Sequence, residues 1–179
     1  MKLRIATLIP VFAFAVLGGA LAMGLRNDPR VIPSMLIDRK LPDFHLPSLE
    51  QQGAGLDSAK LPDNGLVLIN VFSSWCSGCR LEHPFLMAKA KDQRFHLVGL
   101  NWKDEPDNAR SFIATFGNPF QEIGSDPSGR TGIELGVTGV PETFVIDRKG
   151  RVRLRVPGPM TPEIWRTEIE PLIEKEKKS

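Results

Sequence analysis

The chain has only two cysteines in 179 residues, enough for one bridge at most, so a disulfide-stapled mini-protein is excluded. It has no surplus of either charge: 23 basic and 21 acidic residues leave a formal net charge of +2, and neither sign dominates a long block. Nucleic acid binding has no electrostatic footprint here. Internal repeats are absent, as is any nicotinamide- or flavin-binding motif. With 41% hydrophobic residues and unremarkable numbers of Gly and Pro, the chain is neither collagenous nor wholly disordered. Its length suits one ordinary domain better than two, so one site is sought.

The N-terminal segment lacks charge almost entirely. After Lys2 and Arg4, Ile5 to Leu25 is 21 residues without a charged side chain, which as a helix would reach about 31 Å, the thickness of a bilayer core. We expect an uncleaved transmembrane anchor over residues 1–25. A signal peptide cleaved after Ala20-Leu21-Ala22 is the competing reading. Lys2 and Arg4 favour an N terminus kept in the cytoplasm, which delivers Arg26 onward to the far side of the membrane; Arg26 and Arg30, with Asp28 among them, weigh the other way. Beyond residue 25 the chain carries 21 basic and 21 acidic residues.

Residues 26–40, with Pro29 and Pro33, read as a tether, 41–176 as the domain and 177–179 as a tail. Around Pro47, Phe44, Leu46 and Leu49 suggest a short edge strand or hairpin, with a turn at Gln51–Gly55. The nearly continuous apolar run Leu66–Phe72 reads as a strand buried on both faces. Phe95–Leu100 repeats it one helix-length later, giving a β-α-β unit that crosses over between Cys76 and Lys91. A helix is expected over Pro106–Phe116, stopped by Gly117-Asn118-Pro119. Phe144–Ile146 and Val152–Val156 flank a turn as a β-hairpin, and Thr161 opens a last amphipathic helix. The fold class is α/β.

The chemistry concentrates at Trp75-Cys76-Ser77-Gly78-Cys79-Arg80, where the most hydrophobic strand gives way to a helix. Two cysteines three apart at a helix N terminus close a ring with little backbone movement, and the dipole lowers the first thiol's pKa. Cys76 is then the nucleophile and Cys79 the resolving thiol. Half a zinc site is the rival for a CxxC, but a second pair is absent and His45, His83 and His96 have no ligand spacing. A purely structural bridge would gain little from so short a loop. The expected cofactor list is empty apart from a redox-active Cys76–Cys79 disulfide.

Trp-Cys-x-x-Cys after a strand, with Gly139-Val140-Pro141 before another, resembles the thioredoxin superfamily. Cys79-Arg80-Leu81-Glu82-His83-Pro84, Val98–Asp104, Phe116–Phe120 and Gly136–Phe144 resemble more closely the membrane-anchored thiol:disulfide interchange proteins of bacterial cytochrome c maturation, the DsbE/CcmG family. The likeness runs from about Leu41 to Lys175. It implies a thioredoxin-like fold, a central mixed sheet flanked by helices, behind an N-terminal transmembrane helix. Ser77-Gly78 departs from the family's common pattern, which often has Pro between the cysteines.

The resemblance implies a cis peptide before Pro141, set against the cysteine pair with a backbone edge free for an incoming peptide. Asn70 stands where thioredoxins keep a buried aspartate. Glu82, on the helix face of Cys79, and Glu142, next to Pro141, occupy places where family acids tune the cysteines: nearby carboxylates disfavour a thiolate. Their plain alternative is a solvated side chain. Trp75 is expected exposed beside Cys76, holding substrate, whereas Trp102 and Trp165 are packing residues. His83-Pro84 marks a bend in the active-site helix; His45 and His96 receive no role. Lys103-Asp104-Glu105 with Asp107 reads as a solvated loop, though the resemblance sets it at the border of the binding groove, and Glu174–Ser179 reads as a frayed helix end.

The implied function is that of a periplasmic, inner-membrane protein-disulfide reductase for the haem-attachment cysteines of apocytochrome c, directly or through a maturation thiol protein. A transmembrane thiol reductant would be its electron donor. A general periplasmic thioredoxin-like reductase would share every cysteine feature. A thiol peroxidase would need Pro and Thr before its reactive Cys, where this chain has Ser73-Ser74-Trp75. A non-catalytic holder of apocytochrome would not need Cys76.

Overall fold

A computed structural model describes residues 5–24, 36–50, 53 and 55–177, and the chain divides into two compact units between residues 33 and 34. The first unit contains helix α1 (Ile5–Gly24), with Pro10 inside it. Its described side chains, Pro10 and Phe12 to Leu21, are exposed. They cover only part of the helix, and among the described residues no helix is long and apolar enough to cross a membrane. The structure therefore gives a helix here but not the expected span. Lys2, Arg4, Arg26, Asp28 and Arg30, and the tether as far as residue 35, lie outside the described residues, as do residues 51, 52 and 54 of the expected turn.

The second unit is an α/β domain built on a five-stranded mixed sheet in the order β5-β4-β3-β6-β7. Strand β3 (Leu66–Phe72) is buried at every residue because alternate side chains enter two different cores. Leu66, Leu68 and Phe72 join Leu86, Phe112, Trp165 and Ile169 under the helices of one face. Val67, Ile69 and Val71 join Leu41, Phe44, Leu46 and Leu135 on the other. Helix α2 (Ser77–Lys89) crosses over to β4 (Phe95–Trp102), which lies parallel to β3. After α3 (Pro106–Phe116), with Pro106 in its first turn, β5 (Ile123–Asp126) adds in parallel to β4. Strands β6 (Glu142–Ile146) and β7 (Val152–Pro157) close the other side as an antiparallel hairpin. The hairpin β1 (His45–Leu46) and β2 (Leu56–Asp57) lies outside this sheet.

Several boundaries differ from the sequence reading. Leu36–Lys40 belongs to the domain rather than to a tether: Ile37 bridges Val152, Lys40 bridges Arg151, and Leu41 N–H donates to the Gly150 carbonyl at 2.8 Å. Strand β4 runs two residues past Leu100 because Asn101 and Trp102 pair with Ser125 and Asp126 of β5. Neither β5 nor the short α4 (Arg130–Glu134) was anticipated. At the C terminus, α5 (Pro162–Ile164), a π-helical stretch (Trp165–Ile169) and α6 (Glu170–Lys177) follow one another. Pro171 has no N–H for the carbonyl four residues back, which suits a widened turn just before it. The expected fraying from Glu174 is absent as far as Lys177, where Glu174 pairs with Arg94 and Glu176 with Arg148; residues 178–179 lie outside the described residues.

Candidate active site

The cysteines sit where the central strand ends. Ser73-Ser74-Trp75 turns the chain, and Cys76, in an extended conformation, caps α2 with its Sγ accepting from Cys79 N–H at 3.0 Å. Cys76 and Cys79 form a disulfide with Cα atoms 5.3 Å apart, and both are buried. On reduction the helix N terminus favours a thiolate at Cys76.

A polar clamp fixes the turn that carries Cys76. The Ser73 hydroxyl donates to the Trp102 carbonyl. The Asp104 carboxylate accepts from Ser74 N–H at 2.6 Å, the Ser74 hydroxyl at 2.8 Å and the Asn101 amide at 2.9 Å. The Trp75 indole N–H donates to the Lys103 carbonyl at 2.9 Å, while the residue stays 60% exposed beside the disulfide. Asp104 is therefore buried, not part of a solvated loop as the sequence suggested; Lys103, Glu105 and Asp107 are exposed. The reason is the longer β4, whose end reaches the active-site turn.

On the other side of the pair the Val140–Pro141 bond is cis. A Cβ built on Gly78 would lie 2.9 Å from Pro141 Cδ and 3.4 Å from Pro159 Cγ, so the glycine between the cysteines is where this loop meets the active-site helix. A shallow groove of about 140 Å³ runs along Thr138–Glu142 and Pro157–Gly158.

The two glutamates have different surroundings. Glu82 is only 3% exposed; it accepts from the Met160 N–H at 2.5 Å and from the Asn70 amide at 2.9 Å. Burial pushes its carboxyl up to about 7 against those two hydrogen bonds. Asn70 also donates to the Thr143 hydroxyl at 3.1 Å, and its own Oδ1 is buried without a partner. Glu142, 1% exposed, is clamped by the Arg155 guanidinium through Nε and through Nη2 at 3.2 Å, and accepts from Thr138 N–H at 3.2 Å. Neither acid is solvated. The Glu142 carboxylate is compensated by the Arg155 guanidinium, whereas Glu82 has no counter-charge among its contacts.

His83 is buried on α2, contacts the Gly117 carbonyl at 3.0 Å and stacks edge-on against Phe112, and burial lowers its pKa. Trp102 and Trp165 are core residues. Among the described residues no group of three His, Cys, Asp or Glu could hold a metal ion. The structure thus gathers Asn70, Trp75, Cys76, Cys79, Glu82, Pro141 and Glu142 around one end of the sheet. The sequence reading missed Arg155 and Met160, and gave Ser74 and Asp104 no part in holding the cysteine turn. Arg155 left one trace, the alternation Arg153-Leu154-Arg155-Val156 within β7; the pairing irregularity at Val145/Ile146 sets Val152 in the core of one face and Leu154 and Val156 in that of the other.

Such a pair at a helix N terminus is built for dithiol exchange, and the chain is a protein-disulfide oxidoreductase of thioredoxin-like fold. The Redoxin family model matches residues 37–172. The DsbE thiol:disulfide interchange protein of Escherichia coli K12 is 39% identical over 177 residues, covering 96% of this chain and 95% of that one. The HelX thiol:disulfide interchange protein of Rhodobacter capsulatus is 38% identical over 166 residues, covering 92% and 93%. A Chlorobium tepidum crystal structure assigned to DsbE superposes with a TM-score of 0.64 at 30% identity, over 76% of this chain and 94% of that one. The chain belongs to the DsbE/CcmG family of thiol:disulfide interchange proteins.

Proposed function

We propose that the protein is a membrane-anchored reductant facing the periplasm, which keeps the haem-attachment cysteines of apocytochrome c reduced, directly or through a maturation thiol protein. The observation that carries the reductant direction is Glu82, buried one turn beyond Cys79 with its carboxyl raised to about 7. Asn70 supplies no acid, so the acid comes from the helix instead. A carboxylate in so apolar a place disfavours a second negative charge nearby, which makes the thiolate form costly and the dithiol a better reductant.

In the forward reaction the Cys76 thiolate attacks one sulfur of the substrate disulfide and releases the other as a thiolate. Cys79 passes its proton to the Glu82 carboxylate and attacks Cys76 Sγ. The Cys76–Cys79 bond forms, the mixed disulfide breaks, and two electrons pass to the substrate, whose two released thiolates take up one proton from Glu82 and one from solvent. A group titrating near neutrality suits that proton transfer. Trp75 and the cis-Pro141 edge flank the substrate chain. The oxidised protein is returned to the dithiol by a transmembrane thiol donor, in a compartment where strong oxidants make disulfides quickly. The anchor is argued from the uncharged run Ile5–Leu25, long enough as a helix to span a bilayer.

The test is Cys79→Ala expressed in a cell that makes c-type cytochromes, which arrests exchange at the mixed disulfide on Cys76. Apocytochrome c or a cytochrome-maturation thiol protein in the adduct is the expected result. A broad, unrelated set of exported proteins would instead mean a general periplasmic thioredoxin-like reductase.

A further inference from the structure

Among the described residues only Asp38 and Lys103 combine a side chain with a positive φ, and Lys103, at φ 48°, directly follows β4 beside the cysteine turn. A left-handed conformation costs free energy in any residue but glycine, and its surroundings must offset that cost. They do so through the backbone and the side chain together. Lys103 N–H donates to the Asp126 carbonyl at 2.9 Å, and Gly129 N–H reaches the same oxygen at 3.0 Å. The Lys103 ammonium lies 4.4 Å from the centre of the Trp102 ring, a cation over an aromatic face. A Cβ built on Gly129 would fall 2.5 Å from Lys103 Cγ and Cε, so that glycine leaves room for the lysine stem. The Trp102 indole N–H donates to the Gly129 carbonyl at 3.0 Å, which joins both supports of the lysine to each other.

The bend at Lys103 serves the active-site turn directly. It aims the Lys103 carbonyl at the Trp75 indole N–H, 2.9 Å away, and brings Asp104 to Ser74 N–H at 2.6 Å. The indole N–H is the only hydrogen-bonding group on the Trp75 side chain, and the ring it ties down is 60% exposed beside the disulfide.

We propose that Lys103 is a positioning residue for the exchange reaction: its left-handed backbone holds the Trp75 ring in place as the wall against which an incoming disulfide-bearing chain is set. The proposal rests on the reading above in which Trp75 flanks the substrate. Without the lysine's contacts an L-residue returns to negative φ, most strongly when it is β-branched, whereas glycine keeps the left-handed form.

Lys103→Gly and Lys103→Ala both remove the ammonium and its stem and differ in the freedom of φ, so comparing them isolates the backbone. The probe is a synthetic oxidised peptide of Cys-x-x-Cys-His pattern, mixed with the reduced full chain. The second-order rate constant of exchange is expected to be about threefold or more lower in Lys103→Ala than in Lys103→Gly, the factor that an ordinary hydrogen bond supplies. The Trp75 indole N–H, followed by heteronuclear NMR, should exchange with solvent faster in Lys103→Ala. On a Trp75→Phe background the difference between the two variants should vanish, which separates action through the indole from a general loss of fold. Equal rate constants, equal protection of the indole, or a difference that survives Trp75→Phe would each overturn the proposal. The Cys79→Ala trap judges the substrate class separately. If it captures unrelated exported proteins, that class falls, and the same comparison on a disulfide peptide from one of them decides the role of Lys103.

Discussion

Glu82 is the residue whose environment most distinguishes this site. Its carboxyl titrates near 7 in the folded protein and near 4.5 in an unfolded chain, so between those values the native state holds the extra proton. Stability contributed by the protonated form is complete below about 4.5 and is lost as pH rises through 7. The loss amounts to about 3 kcal/mol. Glu82→Gln should flatten the decline of urea-unfolding stability between pH 4.5 and 7. The partnerless Oδ1 of Asn70 can turn to accept from the new amide, so the variant keeps its fold. An equally steep decline in the variant would place the titration elsewhere. Arg155 illustrates the opposite case, a charge held by a counter-charge. Arg155→Met strands the buried Glu142 carboxylate and should cost about 3–5 kcal/mol, whereas Glu142→Gln/Arg155→Met should recover most of it, again by urea unfolding.

Between elements, the clamp from the end of β4 to the turn before α2 decides where Cys76 stands. Asp104→Ala removes the acceptor for Ser74 N–H, the Ser74 hydroxyl and the Asn101 amide, and should lower stability by at least about 2 kcal/mol. Asp104→Asn, which keeps one acceptor oxygen, should lose less, and thermal unfolding compares them. This clamp also shows where sequence reading stops. Strand β3 and helix α3 match at both ends because their signals are local: an unbroken apolar run between turns, and Pro106 and Gly117 as punctuation. Strand β5 was illegible because Ile123-Gly124-Ser125-Asp126 is half polar. Gly124 is a packing choice, since a Cβ there would lie 2.7 Å from Leu56 and 2.9 Å from Leu46. Helix α4 was hidden similarly, since a Cβ at Gly132 would fall 2.2 Å from the Trp102 indole nitrogen. Cys76, Cys79 and Pro141 could be named from their motifs, but the Glu142–Arg155 and Ser74–Asp104 pairs depend on register and strand length, which no local pattern carries.

At the scale of the whole molecule, the site occupies one end of the sheet. One end holds the dithiol between the Asp104 clamp and the cis-proline loop, with Glu82 buried behind it. The other end carries the turn between β6 and β7, where Leu41 N–H donates to the Gly150 carbonyl. The central claim concerns the first end: the pair donates electrons rather than takes them. The most direct measurement is the reduction potential of Cys76–Cys79 at pH 7, by equilibration with dithiothreitol or glutathione buffers. The expected value lies near thioredoxin's, about −270 mV. A value near that of the strong oxidant DsbA, about −120 mV, would contradict the account.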